Sequence, residues 1–382
     1  MTDGRTNCER RDAVLIAAFL AALAAPGAAM AVRGSPPAPL MAEKPHPWTP
    51  PQADAWSLLH FPLEVRAYFN VNFGLRPGLI RAVSRFKLRL FHVPANRMVI
   101  VGEDGWLYLA ADQEDDCCRQ VRPFTQAELA GWRSMLEKRR DWLAERGIPY
   151  VFVIAPDKHT VQGEHVPAWM RPTGDASRLD QLVDYLRRTS TVSIVDVRSA
   201  LLHAKQDGDV YFKLDSHWNE QGAFVAYRET MAALAKSFPA LHPATMSEFD
   251  VSTSRDRSGD LAAMLAISDD LEQPEVHLTP KTPRAAVYVE GAEGPVVNDH
   301  RRYRQRASQR PDAEVPRAVI FHDSFGATLN PFLAEHFGRA VYEWTWGFDT
   351  SLVEREKPSV VINQLVERAL MRDLEEMGED DR

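Results

Sequence analysis

Two short stretches of this 382-residue chain carry side chains of the kind that move acyl groups. The first is Arg317-Ala318-Val319-Ile320-Phe321 running into His322-Asp323-Ser324-Phe325-Gly326, an apolar strand that breaks at a serine. A hydroxyl at such a strand-to-helix turn faces outward, and a helix starting there points N–H groups at developing negative charge, which suits a nucleophile and an oxyanion. Serine is more often a helix N-cap, so this stretch by itself favours capping. The second stretch is Tyr211-Phe212-Lys213-Leu214-Asp215-Ser216-His217-Trp218-Asn219. A carboxylate two residues before a histidine can hold the imidazole's Nδ1–H and leave Nε2 free to take a serine's proton. Asp215 as a turn cap and His217 as a satisfied surface histidine is the bland alternative. Each stretch supplies what the other lacks, and their presence in one chain favours joint catalysis.

Elements on either side must bring the two stretches together. Thr125 and Glu128 form a capping-box pattern, followed by Leu129, Trp132, Leu136 and Leu143 near helical spacing and by Gly147 as a stop. Apolar runs at 150–155, 192–197, 318–321 and 359–362 read as short strands, and in Tyr211–Asn219 a short strand breaks into a loop before the next helix. Helices are expected at 178–188 and 219–237. Continuous apolar strands alternating with amphipathic helices predict a three-layer α/β/α sandwich with a mostly parallel sheet, in which loops converge at the strands' carboxyl ends.

The ends of the chain differ from this body. Arg5, Arg10 and Arg11 precede an apolar run from Ala13 to Val32, the pattern of a signal peptide or signal anchor over residues 1–34. Ala29-Met30-Ala31 offers a cleavage site, and cleavage and retention both place the remainder outside the cytoplasm, in the periplasm. Residues 35–55 hold a proline-rich linker, 56–370 the main domain, and 371–382 an acidic tail. With 45 basic against 53 acidic side chains the net charge is −8, which argues against a nucleic-acid partner. Nine Trp and seventeen Phe argue equally against disorder. Cys8 precedes the apolar run, and Cys117 and Cys118 are adjacent without a His or Cys at ligand spacing, so neither a disulfide scaffold nor a metal site is expected.

Asp215-Ser216-His217-Trp218-Asn219 with Gly222-Ala223, and His322-Asp323-Ser324-Phe325-Gly326, resemble the SGNH-hydrolase-like domain of the alginate O-acetyltransferases AlgJ and AlgX. Gly102-Glu103-Asp104-Gly105-Trp106-Leu107-Tyr108, Ala155-Pro156-Asp157-Lys158, His165-Val166-Pro167, Ser258-Gly259-Asp260-Leu261, Met264-Leu265 and Glu367-Arg368 are similar to further family segments, over roughly residues 60–370. The resemblance implies Ser324 as nucleophile, His217 as general base and Asp215 as its orienting carboxylate. It shares the family's permuted order, with serine last. His322 departs from the glycine that precedes Asp-Ser in many SGNH enzymes, and the usual oxyanion blocks have no clear counterpart beyond the N–H of Ser324. The short span after Glu367-Arg368 fits the AlgJ layout and not that of AlgX, which adds a carbohydrate-binding domain.

The resemblance implies an exported transferase that moves acetyl groups onto hydroxyls of alginate or a similar exopolysaccharide through an acetyl-serine. Its donor partner is a membrane-bound acyltransferase, and no cofactor is needed for ester transfer by such a triad. A deacetylase or esterase with the same residues, and a non-catalytic polysaccharide-binding scaffold, are the alternatives. Lys158, Trp218 and Trp346 are candidate substrate contacts, as is Trp344, against the more common fate of tryptophan in a core. Arg301, Arg302, Arg304 and Arg306 form a local basic run that suits an anionic polymer or a solvated loop.

Overall fold

The computed structural model describes residues 3–33, 48, 50, 54–111, 113–256, 259–290, 305–310 and 315–378. Most of the proline-rich linker, Ser258, Arg301, Arg302 and Arg304, and the acidic end from residue 379 lie outside the described residues. Two compact units are present: Met1–Arg97 with Ala262–Leu271, and Met98–Leu261 with Glu272–Arg382.

The first unit is helical. Helix α1 (Asp3–Arg33) contains a 20-residue stretch, Arg11–Met30, of mean hydropathy 2.2, long and apolar enough to cross a membrane. Helix α2 (Ala55–Asn72) begins at Asp54, whose carboxylate accepts the Ser57 N–H at 2.8 Å. Helix α3 (Arg76–Phe91) ends at His92 in the left-handed region. Arg85 on α3 makes a two-pronged pair with Asp270, both bonds 2.6 Å.

The second unit opens with an antiparallel hairpin, β1 (Val99–Val101) and β2 (Leu107–Leu109), and continues through α4 (Glu114–Arg119) and α5 (Gln126–Ala144). The expected capping box starts α5: Thr125 Oγ1 accepts the Glu128 N–H at 3.2 Å, and Glu128 accepts the Thr125 N–H at 2.7 Å. There follow β3 (Tyr150–Ala155), α6 (Lys158–Val161), α7 (Arg178–Thr189), β4 (Ser193–Asp196), α8 (Arg198–Ala204) and α9 (Glu220–Leu234). A second hairpin pairs β5 (Phe249–Asp256) with β6 (Gln273–Pro280), with α10 (Asp260–Met264) starting between them. The chain closes with β7 (Val287–Glu290), β8 (Gln305–Gln309), β9 (Arg317–His322), α11 (Gly326–Leu333), β10 (Arg339–Trp344), α12 (Thr350–Glu356), β11 (Val360–Val366) and α13 (Leu374–Gly378).

A seven-stranded sheet in the order β4-β3-β11-β9-β10-β8-β7 organises this unit. It is parallel from β4 to β10, and antiparallel where β10 meets β8 and β8 meets β7. Every residue of β3 and β11 is buried, and all of β9 except Arg317, which is why 150–155, 318–321 and 360–362 read as apolar runs; the buried Asn363 and Gln364 carry β11 on to Val366, beyond the expected end at 362. The short strand expected at the start of Tyr211–Asn219 is not one. Only a bridge between Tyr211 and Trp218 forms there, closed by the Phe212 N–H on the His217 carbonyl at 3.2 Å, so residues 212–217 make a tight loop. The carboxyl ends of β3, β11 and β9 lie side by side and deliver Asp157, Glu367 and Ser324 respectively, the end where ligands bind in open α/β sheets.

Candidate active site

Ser324 follows β9 directly and is half-buried at the turn into α11. The turn is fastened by Asp323, whose buried carboxylate accepts the Phe325 N–H at 2.9 Å and the Gln364 side-chain amide at 3.0 Å, and also takes the Val366 N–H. Burial pushes the Asp323 carboxyl up, although these donors oppose the shift. Residue 322 has a definite place as well. Its Nδ1 meets the Asp323 carbonyl at 2.7 Å, and burial pushes its pKa down to about 4, so it is a neutral donor there. A Cβ on Gly326 would lie 2.4 Å from this ring, so only glycine fits after Phe325. Ser324 does not cap α11: the N-cap is Phe325, with no side-chain bond. The N–H groups of Phe325, Gly326 and Ala327 are engaged within the turn, on Asp323 Oδ1, Asp323 O and Ser324 O.

The loop 212–217 carries His217, the expected base. Asp215 Oδ1 receives His217 Nδ1 at 2.7 Å and the His217 backbone N–H at 3.0 Å, and its Oδ2 receives the Asp260 N–H at 2.8 Å. Burial pushes Asp215 up, but the His217 bond and charge and the two backbone donors outweigh it and hold the carboxyl at about 2. For His217 burial acts downward, and the adjacent Asp215 and Asp260 carboxylates raise it overall. With Nδ1 held by Asp215, His217 Nε2 is buried and has no hydrogen-bond partner among the described residues. The rings of His217 and Phe325 are 4.9 Å apart, and Trp218 Nε1 donates to the Phe325 carbonyl at 3.1 Å, so the loop lies against the residue after Ser324. Ser324 and His217 share no hydrogen bond here.

Asp260 is the residue whose role the sequence did not announce. It accepts the Ser216 N–H at 2.8 Å and the Ser216 hydroxyl, and its Oδ2 lies 3.8 Å from His217 Nδ1. Its carboxyl is raised, by burial first and by the Asp215 charge second. Gly259 makes the approach possible: at φ +153° it sits where a Cβ would meet the Leu214 carbonyl oxygen at 2.4 Å. The signal was the Gly259-Asp260 pair, whose meaning depends on a loop 45 residues earlier. Asp215, His217 and Asp260 bring ligand atoms within 4.8 Å of one another and could in principle hold a cation, but their inner atoms already bond one another or the backbone.

Two candidate substrate contacts are corrected by burial. Lys158 is 1% exposed, and its Nζ donates to the carbonyls of Phe212, Lys213 and Asp215 at 2.9, 3.1 and 2.8 Å. It lies over the Trp106 and Tyr108 rings at 5.2 and 5.1 Å, so the Gly-x-x-Gly-Trp-Leu-Tyr segment builds an aromatic box for an ammonium that supports the His217 loop from beneath. Burial pushes its pKa down to about 7. Trp218 is fully buried and has no face for a sugar. Trp346 is half-buried with the Arg372 guanidinium 3.7 Å over its ring, while Trp344 is 36% exposed.

A serine at a β-strand end, an Asp–His pair in a second loop and a mainly parallel run of strands define an SGNH-hydrolase-like protein. Residues 99–342 match the family described as the SGNH hydrolase-like domain of acetyltransferase AlgX, and the chain belongs to that family. It is similar to the probable alginate O-acetylase AlgJ of Pseudomonas aeruginosa, 26% identical over 266 residues, covering 68% of this chain and 63% of that protein. The AlgJ of Pseudomonas syringae pv. tomato is 30% identical over 141 residues, 37% of this chain and 34% of that protein. The chain thus spans between about a third and just under two thirds of the curated relatives it matches. Among solved structures, Bacillus cereus PatB1 with a sulfonyl adduct superposes with a TM-score of 0.56 at 16% identity, over 74% of this chain and 99% of that one, a likeness of fold.

Proposed function

We propose that this chain is an exported O-acetyltransferase that moves acetyl groups onto hydroxyls of an exopolysaccharide, alginate or a similar polymer, through an acetyl-serine on Ser324. The observation that carries the reading is the Asp215–His217 pair at 2.7 Å, whose Nε2 has no partner beside the turn holding Ser324. In the first step the Ser324 hydroxyl engages Nε2. His217 takes the hydroxyl proton as the oxygen attacks the acetyl carbonyl, and Asp215 stabilises the imidazolium. The developing oxyanion is received by the Ser324 N–H, and collapse of the adduct expels the donor's oxygen, protonated by His217. In the second step His217 deprotonates a sugar hydroxyl, which attacks the acetyl-serine; the Ser324 Oγ–acyl bond breaks, Ser324 takes the proton back from His217, and the sugar leaves as the acetate ester.

The names of the Pseudomonas relatives support alginate as acceptor, and the apolar helix α1 supports export, with the domain in the periplasm and tethered when the helix is retained. A membrane-bound acyltransferase would present the acetyl group. Helices on both faces of the sheet, in three layers, belong to the same reading. The test is incubation of the purified protein with an acetyl ester and an oligouronate, with products weighed by mass spectrometry. We expect an acceptor heavier by one acetyl group and, with Ser324→Ala, neither transfer nor acetate release above background. Wild-type protein that leaves both ester and acceptor unchanged, or Ser324→Ala with undiminished turnover, overturns the proposal.

A further inference from the structure

The carboxyl ends of β3 and β11 enclose a second set of reactive side chains that acyl transfer does not use. Cys117 on α4, His159 on α6 and Glu367 just past β11 are all buried, and their ligand-type atoms lie within 4.8 Å of one another. Together they line one side of a cavity of about 270 Å³, which Thr160, Asp180 and Arg198 also border. From this arrangement we infer a zinc-type site, in which the Cys117 thiolate, the His159 imidazole and the Glu367 carboxylate hold one divalent cation and the cavity supplies a water as fourth ligand.

The donor set is that of borderline-soft zinc: sulfur, nitrogen and oxygen, three from the protein with one position left open. Tetrahedral ligands around zinc stand about 3.5 Å apart, so the cluster needs only a modest contraction to close on a metal. Surrounding groups are arranged as outer partners of such a site. Glu114 Oε1 lies 3.5 Å from His159 Nδ1, which leaves Nε2 for the metal. Glu367 Oε2 is oriented by the Asp157 N–H at 2.9 Å and the Thr160 hydroxyl at 2.6 Å.

Charge and unmet polar atoms point the same way. Glu114, Asp157 and Glu367 place three buried carboxylates together, and Arg368 is the guanidinium that answers them, bonded to Asp157 and 3.6 Å from Glu114. Glu114 Oε2 and Asp157 Oδ2 are buried without a hydrogen-bond partner among the described residues. A buried excess of negative charge is costly by itself, and a divalent cation nearby offsets it. The site also has a structural reach. Lys158, which holds the His217 loop, and Arg368, whose guanidinium stands 5.6 Å over the Phe325 ring, are the sequence neighbours of two ligands.

The test uses the full chain purified without chelator. Zinc is counted by elemental mass spectrometry, and cobalt(II) is then added to metal-stripped protein as a spectroscopic probe. We expect one zinc per chain and a near-ultraviolet thiolate-to-cobalt band. The band persists in the Cys8→Ser, Cys118→Ser double variant, where Cys117 is the only thiol, and disappears in Cys117→Ser. His159→Gln weakens cobalt binding at least tenfold and removes the zinc-dependent rise in melting temperature that the wild type shows, a readout that does not depend on Cys117→Ser folding. Wild-type protein with no thiolate–cobalt band and no zinc-dependent melting shift refutes the site, as does a band that survives loss of Cys117.

Discussion

Replacing Asp215 with asparagine tests the proposed proton path at its most constrained point. The carboxylate gives one oxygen to His217 Nδ1 and the other to the Asp260 N–H, and both partners are donors. An amide offers one acceptor and one donor, so the side chain can satisfy His217 or Asp260 but not both. If the amide oxygen faces Asp260, its NH2 faces His217, which must then carry its proton on Nε2 and cannot accept one from Ser324. If the oxygen faces His217, the Asp260 N–H loses its bond and the charge that favours the imidazolium is gone. A hydrogen bond to a charged group contributes about 1.5–3 kcal/mol, which corresponds to about a 10- to 150-fold loss in kcat/KM. The loss reaches about 10⁴-fold where the wrong tautomer prevails. The pH dependence adds a sign. Because Asp215 raises His217, the wild-type rate climbs through a midpoint above the ordinary imidazole value of 6.5, and Asp215→Asn moves that midpoint down. Stability changes too: Asp215, held at about 2 against an ordinary 3.8, contributes stability that is complete above 3.8 and lost as pH falls toward 2, and the variant lacks this acid limb. Initial rates of acetyl-ester turnover across pH 5–9, with urea unfolding across pH 2–7, measure both effects. A variant within twofold of wild type, with an unmoved midpoint, would refute the proton path.

Lys158→Met leaves three carbonyls without their donor and removes the cation from the Trp106–Tyr108 box; at about 1 kcal/mol per hydrogen bond, less the relief of a buried ammonium, we expect a loss of about 2 kcal/mol in urea unfolding and a drop in kcat larger than the change in KM. Unchanged stability would show that the His217 loop does not depend on this ammonium. Gly326→Ala drives a methyl against the His322 ring, 2.4 Å away, and should cost about 1–3 kcal/mol by thermal unfolding while tilting the Ser324 turn and lowering turnover. A neutral result would mean that the ring moves aside freely. Thr125→Ala opens the capping box of α5, far from the chemistry, and should cost about 1 kcal/mol of stability with turnover of the folded protein unaltered.

Local signals carried much of this protein. The capping box at Thr125–Glu128, the buried runs that became β3, β9 and β11, the apolar stretch in α1 and the Asp215–His217 spacing are each decided by residues a few positions apart, so sequence alone determined them. The antiparallel flank was not legible. Strand β8, Gln-Arg-Ala-Ser-Gln, has no apolar alternation and is a strand because β10 and β7 offer it partners. Burial decided the rest. A lysine commonly faces solvent and a tryptophan serves either core or ligand, and only the packing around the 212–217 loop made Lys158 a clamp and Trp218 core. The same holds for Asp260 beside Asp215, and for Cys117, His159 and Glu367, which lie up to 250 positions apart in the chain. A covalent neighbour fixes a cap or a strand's pattern, whereas a charge's partners and its access to water are set by whichever distant segments the sheet brings to the same end.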